Sequence, residues 1–183
     1  FCQINYYHSK GFSKIKGGTM KTKLSVLLLG FLLFFTFAQG AGEKVDSKKI
    51  AEGLQKAINN HDAAMMAELY TEDAILVMSG EPEPLRGRKA IEKNHVALFR
   101  AFPDMKIEFT LVLESGNYIV FEQIVRGTHK GPFPTPAGDL PATGRKIELQ
   151  MVWIAKISPE GLIAEDRTYY DTGEFMRQLG LME

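Results

Sequence analysis

Four segments between residues 106 and 170 confine this chain to a narrow set of folds. In the first, Ile107, Phe109, Leu111 and Leu113 alternate with Lys106, Glu108, Thr110 and Glu114. A two-residue period of this kind belongs to a strand with one buried face. Gly116-Asn117 turns the chain, and Tyr118 to Thr128 reads as a long strand with fewer charges. A third strand, Ile147 to Ile157, sets Leu149, Met151, Trp153 and Ala155 on one face against Glu148, Gln150 and Lys156 on the other. Pro159-Glu160-Gly161 makes a tight hairpin, and Leu162 to Tyr170 returns. Hairpin-linked strands of this pattern form an antiparallel sheet, whose apolar face must be covered by something else in the chain.

The cover lies upstream, where the period lengthens. Asp46 or Ser47 can cap a helix with Ile50, Leu54, Ala57 and Ile58 on one face. Asn59-Asn60-His61 interrupts it, and Asp62 caps a shorter helix running through Met66, Leu69 and Tyr70. Ala74 to Met78 is a short strand, and Ser79 to Arg86, with Pro82 and Pro84, is a loop. A third helix, 88–102, carries Ile91, His95, Leu98, Phe99 and Phe102 as its stripe, so that His95 is a polar residue on an apolar face. It ends at Pro103-Asp104. After the last strand Asp171 caps a final helix, with Glu174 spaced for a capping box. Helices first and strands after them define an α+β domain with the helices on one face of the sheet.

Charge and targeting signals set the boundaries of that domain. Residues 1–40 hold five Lys and no acid, while the whole chain balances 22 basic against 22 acidic residues. The remainder therefore carries 17 basic against 22 acidic side chains, a mildly acidic domain poorly suited to nucleic acid. Met20, with Lys21 and Lys23, precedes an apolar run from Leu24 to Ala38 and the small-residue stretch Ala38-Gln39-Gly40-Ala41. That order is the pattern of a secretory signal peptide at 20–40. The expectation is read-through sequence at 1–19, a single domain at 41–183, and a mature protein exported to the periplasm or beyond, free of the membrane after cleavage. A retained N-terminal anchor is the alternative. The one cysteine, Cys2, lies outside the domain and offers neither a disulfide nor a nucleophile.

Several short motifs occur in a fixed order across the domain. They are Asn60-His61-Asp62, Tyr70-Thr71-Glu72-Asp73-Ala74, Gly87-Arg88-Lys89-Ala90-Ile91, Phe102-Pro103-Asp104, Gly127-Thr128-His129-Lys130-Gly131, Thr143-Gly144-Arg145 and Tyr169-Tyr170-Asp171 before Met176 to Gly180. Together they resemble the SnoaL-like polyketide cyclases, also called ester cyclases, of the NTF2-like superfamily. The resemblance implies a cone-shaped, strongly curved, mainly antiparallel sheet wrapped by helices around an apolar cavity. It also implies cofactor-free chemistry on a small apolar or polyketide-like ligand, no metal, and a tendency to form homodimers through the outer face of the sheet. In that family an Asp shuttles the proton in an intramolecular aldol closure, supported by a His on the neighbouring strand.

Here the chain departs from the pattern. With Gly161 and Asp171 set on the family's hairpin glycine and capping aspartate, the catalytic Asp position falls on Thr168 and the His position on about Trp153. Asp166 shares a strand face with Thr168 and is the candidate proton carrier; pairing with Arg167 or Lys156 at a strand end is the other reading. His129, at the end of a strand, is the candidate hydrogen-bond donor at the cavity mouth, or else a solvated turn histidine. Thr168 and Tyr170 would orient a ligand. Trp153, Met151, His95, Phe99 and Tyr70 complete the expected ligand-binding set, although apolar pockets and apolar cores use the same residue types, and His95 reads equally as a satisfied core histidine. The histidines lie too far apart in sequence for a metal-ligand pair. Glu122 and Arg126 share a strand face and read as a solvated cross-strand set. A non-catalytic binding protein that keeps the cone without the chemistry is the competing class.

Overall fold

The computed structural model describes residues 46–135 and 138–183. The expected read-through segment and signal peptide lie outside the described residues. Three helices come first or early: α1 (Ser47–Asn59), α2 (Ala63–Glu68) and α3 (Arg88–Ala101). Around α3 run β1 (Tyr70–Met78) and the two-residue β2 (Leu85–Arg86), followed by β3 (Lys106–Ser115), β4 (Tyr118–Thr128), a small hairpin of β5 (Phe133–Thr135) and β6 (Gly138–Leu140), β7 (Lys146–Ile157), β8 (Ile163–Tyr170) and α4 (Thr172–Gln178). Six strands form one sheet in the order β2-β1-β8-β7-β4-β3. All neighbours are antiparallel except β1 and β8, which run parallel.

The helices are started by aspartates. Asp46, Asp62 and Asp171 each accept the amide three residues on, at 3.0, 2.8 and 2.9 Å, a contact worth about 1 kcal/mol per helix. Glu174 does not reach back to close a capping box; its carboxylate takes Arg177 and Gln178 instead. The second helix is shorter than its apolar spacing suggests. It stops at Glu68, and Tyr70 opens β1. His61 makes the corner between α1 and α2 in a left-handed conformation, φ 55°, held there as its Nε2–H donates to the Met105 carbonyl at 2.9 Å. Asn59 then clamps the start of the edge strand β3, its Oδ1 accepting from the Ile107 amide at 3.0 Å.

Alternation decides which side chains face the helices. Ile119, Phe121, Gln123 and Val125 of β4, and Ile147, Leu149, Trp153 and Ala155 of β7, are buried on the inner face. The outer face carries the charge: Arg126 pairs with Glu148 at 2.8 Å and Glu108 at 3.2 Å across three strands, and Glu122 accepts from Thr110. This is the solvated cross-strand set.

β3 breaks its own pattern. Ile107 and Phe109 face Val125 and Gln123, but a bulge at Thr110 shifts the register, so that Leu111 faces Glu122 and Leu113 faces Val120. One extra residue moves every following side chain to the opposite face. Leu111 and Leu113 are therefore exposed on the outside, 44% and 53% accessible, rather than continuing the buried stripe. A larger irregularity in β1 separates the Tyr70–Ile163 pair from the Ile75–Glu165 pair. The intervening Thr71–Ala74 stays in the strand without a partner on β8, and Tyr70 lies on the inner side, fully buried.

The connection between β4 and β7 is strapped to the end of α3. Lys130 and Gly131 both donate to the Ala101 carbonyl, at 2.8 and 3.1 Å. Gly131 sits so close to the Arg100 carbonyl that a Cβ at this position would collide with it, which explains glycine at the end of the Gly127–Gly131 motif. Among the described residues no helix is long and apolar enough to cross a membrane.

Candidate active site

The sheet's inner face, α3, the β5 strap and α4 enclose a cavity of about 140 Å³. Its walls are mostly apolar: Leu76, Leu98, Phe102, Val125, Leu149 and Phe175 are representative. Polar groups enter from two sides. Asp166, Thr168 and Tyr170 come from β8 and Trp153 from β7, while His95 comes from α3 across the cavity. Glu81 and Asn94 also contribute to the lining.

Asp166 is the most unusual of these groups. It is 2% exposed, because alternation on β8 points it inward with Thr168. Tyr70, at the start of β1, donates its hydroxyl to Oδ2 at 2.6 Å. Oδ1 is buried and has no partner among the described residues. Burial disfavours the charged carboxylate and lifts its pKa to about 6, against the opposing pull of the Tyr70 and Thr168 hydroxyls. Burial and the adjacent carboxylate together raise the pKa of Tyr70, so it remains a donor. One oxygen is thus held and the other left free, in a carboxyl group that titrates near neutrality. A raised carboxyl pKa beside an unpaired oxygen is one property of a general acid/base. Asp166 is not a strand-end partner of its neighbours, since Arg167 pairs with Glu165 instead.

The ring nitrogens of His95 have fixed roles. Nδ1 lies 2.9 Å from the Ile91 carbonyl. A carbonyl only accepts, so Nδ1 carries the hydrogen. Burial lowers the pKa of His95 and keeps the ring neutral. Nε2 is then a bare acceptor on a residue that lines the cavity.

His129 stands elsewhere. It is fully buried, not solvated, and is not part of the cavity wall. Its ring stacks on Phe102 with centroids 5.1 Å apart and meets Phe133 edge-on at 6.4 Å. Nδ1 accepts the Thr143 amide at 3.3 Å. These contacts tie the two ends of the strap together, behind two residues, Phe102 and Phe133, that do line the cavity. Desolvation lowers its pKa too. Phe99 is likewise outside the lining, packed against the rings of His61 and His95. Tyr70 reaches the cavity only through Asp166. Met151, Trp153, Thr168 and Tyr170 all line it.

Trp153 and Thr168 face each other directly across β7 and β8, so the two positions that carry the cyclase pair in the resemblance are neighbours here. The indole Nε1 is buried without a partner. Gln123 was not foreseen. It is completely buried between Phe121 and Val125, and neither end of its amide is paired among the described residues. The signal was present as a single polar residue at an inward position of an apolar alternation. Among the described residues no three His, Cys, Asp or Glu side chains are grouped to hold a metal ion.

Comparison with known families and structures agrees with this geometry. The model of the SnoaL-like polyketide cyclases matches residues 48–179, and the chain belongs to that family. Its fold is that of TsrD from Streptomyces laurentii, 19% identical, TM-score 0.66, covering 76% of this chain and 98% of that one. It is also that of IdmH from Streptomyces antibioticus, 26% identical, TM-score 0.61, covering 74% and 99%. A Catenulispora acidiphila protein described as having a ketosteroid isomerase-like fold is 18% identical, TM-score 0.61, covering 74% and 95%. The architecture is therefore the NTF2-like cone. Comparison with curated proteins returned no match.

Proposed function

We propose that this protein binds a compact organic molecule in its cavity and catalyses cofactor-free proton transfer beside a carbonyl, as in a cyclase or isomerase, with Asp166 as the proton carrier. One observation carries the reading: a carboxyl group buried in an apolar cavity, with one oxygen anchored by Tyr70 and the other unpartnered. Ionised, Asp166 removes a proton from the carbon next to the carbonyl, and the C–H electron pair moves into the enolate. The same carboxyl group then returns the proton to carbon or to a developing alkoxide. Thr168 and Tyr170 orient the ligand from the same strand. His129 acts indirectly, by holding the strap against the cavity wall. Export is part of the proposal and rests on the basic, apolar and small-residue succession at 20–40.

The test is deuterium uptake from heavy water into a compact hydroxylated cyclic ketone such as 4-hydroxycyclohexanone, followed by NMR. Wild type should accelerate exchange and Asp166→Asn should not. Equal exchange in the two would remove Asp166 from this role.

Thr168 and Trp153 at the cyclase positions favour a second reading, a binding protein without turnover. It predicts a saturable ligand and no exchange above the buffer rate. Homodimer formation is also proposed, through the outer sheet face where Leu113, Val120 and Ile154 adjoin in register. Sedimentation of wild type against Leu113→Glu tests it: a dimer that survives the substitution would place the contact elsewhere.

A further inference from the structure

We infer that His95 is the specificity residue of the cavity, and that it selects a ligand bringing a hydroxyl or N–H to the α3 wall: a compact hydroxylated carbonyl compound rather than a hydrocarbon or a plain ketone. The inference deepens the proposed function and rests on its cavity. The argument is one of hydrogen-bond sign. The Ile91 carbonyl at 2.9 Å fixes the hydrogen on Nδ1, so the other nitrogen has only a lone pair to offer. The ring is 5% exposed and lines the cavity. Among the described residues Nε2 makes no hydrogen bond, and most of the cavity lining is apolar. Nε2 is not closed off with the fully buried unpaired atoms, so a ligand donor can reach it, and such a ligand gains a hydrogen bond that an analogue without the donor cannot make. Sites that hydrogen-bond a ligand group discriminate strongly against the analogue lacking it. A cavity of about 140 Å³ is close to the roughly 150 Å³ apolar cavity known to hold benzene, so one ring fits.

Phenol and toluene have nearly the same shape and differ in whether they carry a donor. Titration calorimetry of the whole domain with each probe should show phenol binding at least about tenfold tighter to wild type, with the preference abolished in His95→Phe. In ¹⁵N NMR of the wild type, Nε2 should give the signal of an unprotonated nitrogen, and that signal should shift with phenol and not with toluene. The NMR experiment decides the matter even if His95→Phe fails to fold. A phenol preference that persists in His95→Phe overturns the inference, as does a hydrogen on Nε2. Equal binding of both probes overturns it while leaving the cavity intact. Binding of neither overturns it together with the cavity reading.

Discussion

Replacing Asp166 with Asn should make the protein relatively more stable as the pH rises, and the size of the effect follows from the site. The pKa of the carboxyl group moves from an ordinary 3.8 to about 6 on burial. At about 1.4 kcal/mol per pH unit, that displacement is worth about 3 kcal/mol. The native state holds its proton more tightly than the unfolded chain does. The stabilising contribution is thus complete below pH 3.8, falls as the pH rises, and is gone once the pH has passed about 6. Asparagine does not titrate. Its amide fits Tyr70 but places an N–H₂ where Oδ1 stood, at a fixed cost of about 1–3 kcal/mol. That cost is the same at every pH and does not affect the comparison. The measurement is urea unfolding of both proteins from pH 4 to pH 8. Subtracting one profile from the other removes the titrations the two share, including those of His95 and His129. The difference should swing by up to about 3 kcal/mol in favour of the variant between pH 4 and pH 7, then level off. With urea slopes of about 1–3 kcal/mol per molar, the midpoints should separate by about 1 M or more. Parallel profiles would refute the reasoning, because they would mean that Asp166 titrates as a hydrated carboxylate.

Two further perturbations probe its supports. Tyr70→Phe removes the hydroxyl that donates to Asp166 at 2.6 Å; the loss of a charge-assisted bond worth about 1.5–3 kcal/mol should move the pH dependence of ketone exchange upward by about one to two pH units, and an unmoved profile would deny Tyr70 its hold on the carboxylate. Gly131→Ala drives a methyl group into the Arg100 carbonyl; it should cost about 1–3 kcal/mol, lower the melting temperature and weaken probe binding by displacing Phe133, whereas an unchanged melting temperature would show that the strap has slack.

Much of the fold is legible in the chain because periodicity reports burial directly. The four long strands, the inward pairing of Asp166 with Thr168 and the aspartate caps all follow from spacing. The features that build the site depend on departures from spacing. The bulge at Thr110 reverses Leu111 and Leu113, and a register shift in β1 separates the Tyr70 pairing with β8 from the pairing that begins at Ile75. Neither leaves a local mark, since the residues involved are ordinary strand residues and the register is set by partners far away in sequence. The parallel pairing of β1 with β8 is non-local for the same reason. His129 shows the opposite limit. Its motif is readable, but a ring stacked behind Phe102 and a ring facing a ligand look alike until the strap is folded over.

The bond between Tyr70 and Asp166 spans 96 residues of chain, and it exists only because β1 lies beside β8. Contacts of such separation carry the largest loop-closure entropy. β3, β4 and β7 can assemble into a meander before that closure, yet this partial sheet lacks one wall of the cavity, its carboxyl group and the hydroxyl that steadies it. Docking of β8 against β1 therefore both completes the hydrophobic enclosure and creates the acid. A chain caught before that step has neither a pocket nor a titrating group near neutrality, so the proton-transfer chemistry arises with the final topology rather than ahead of it.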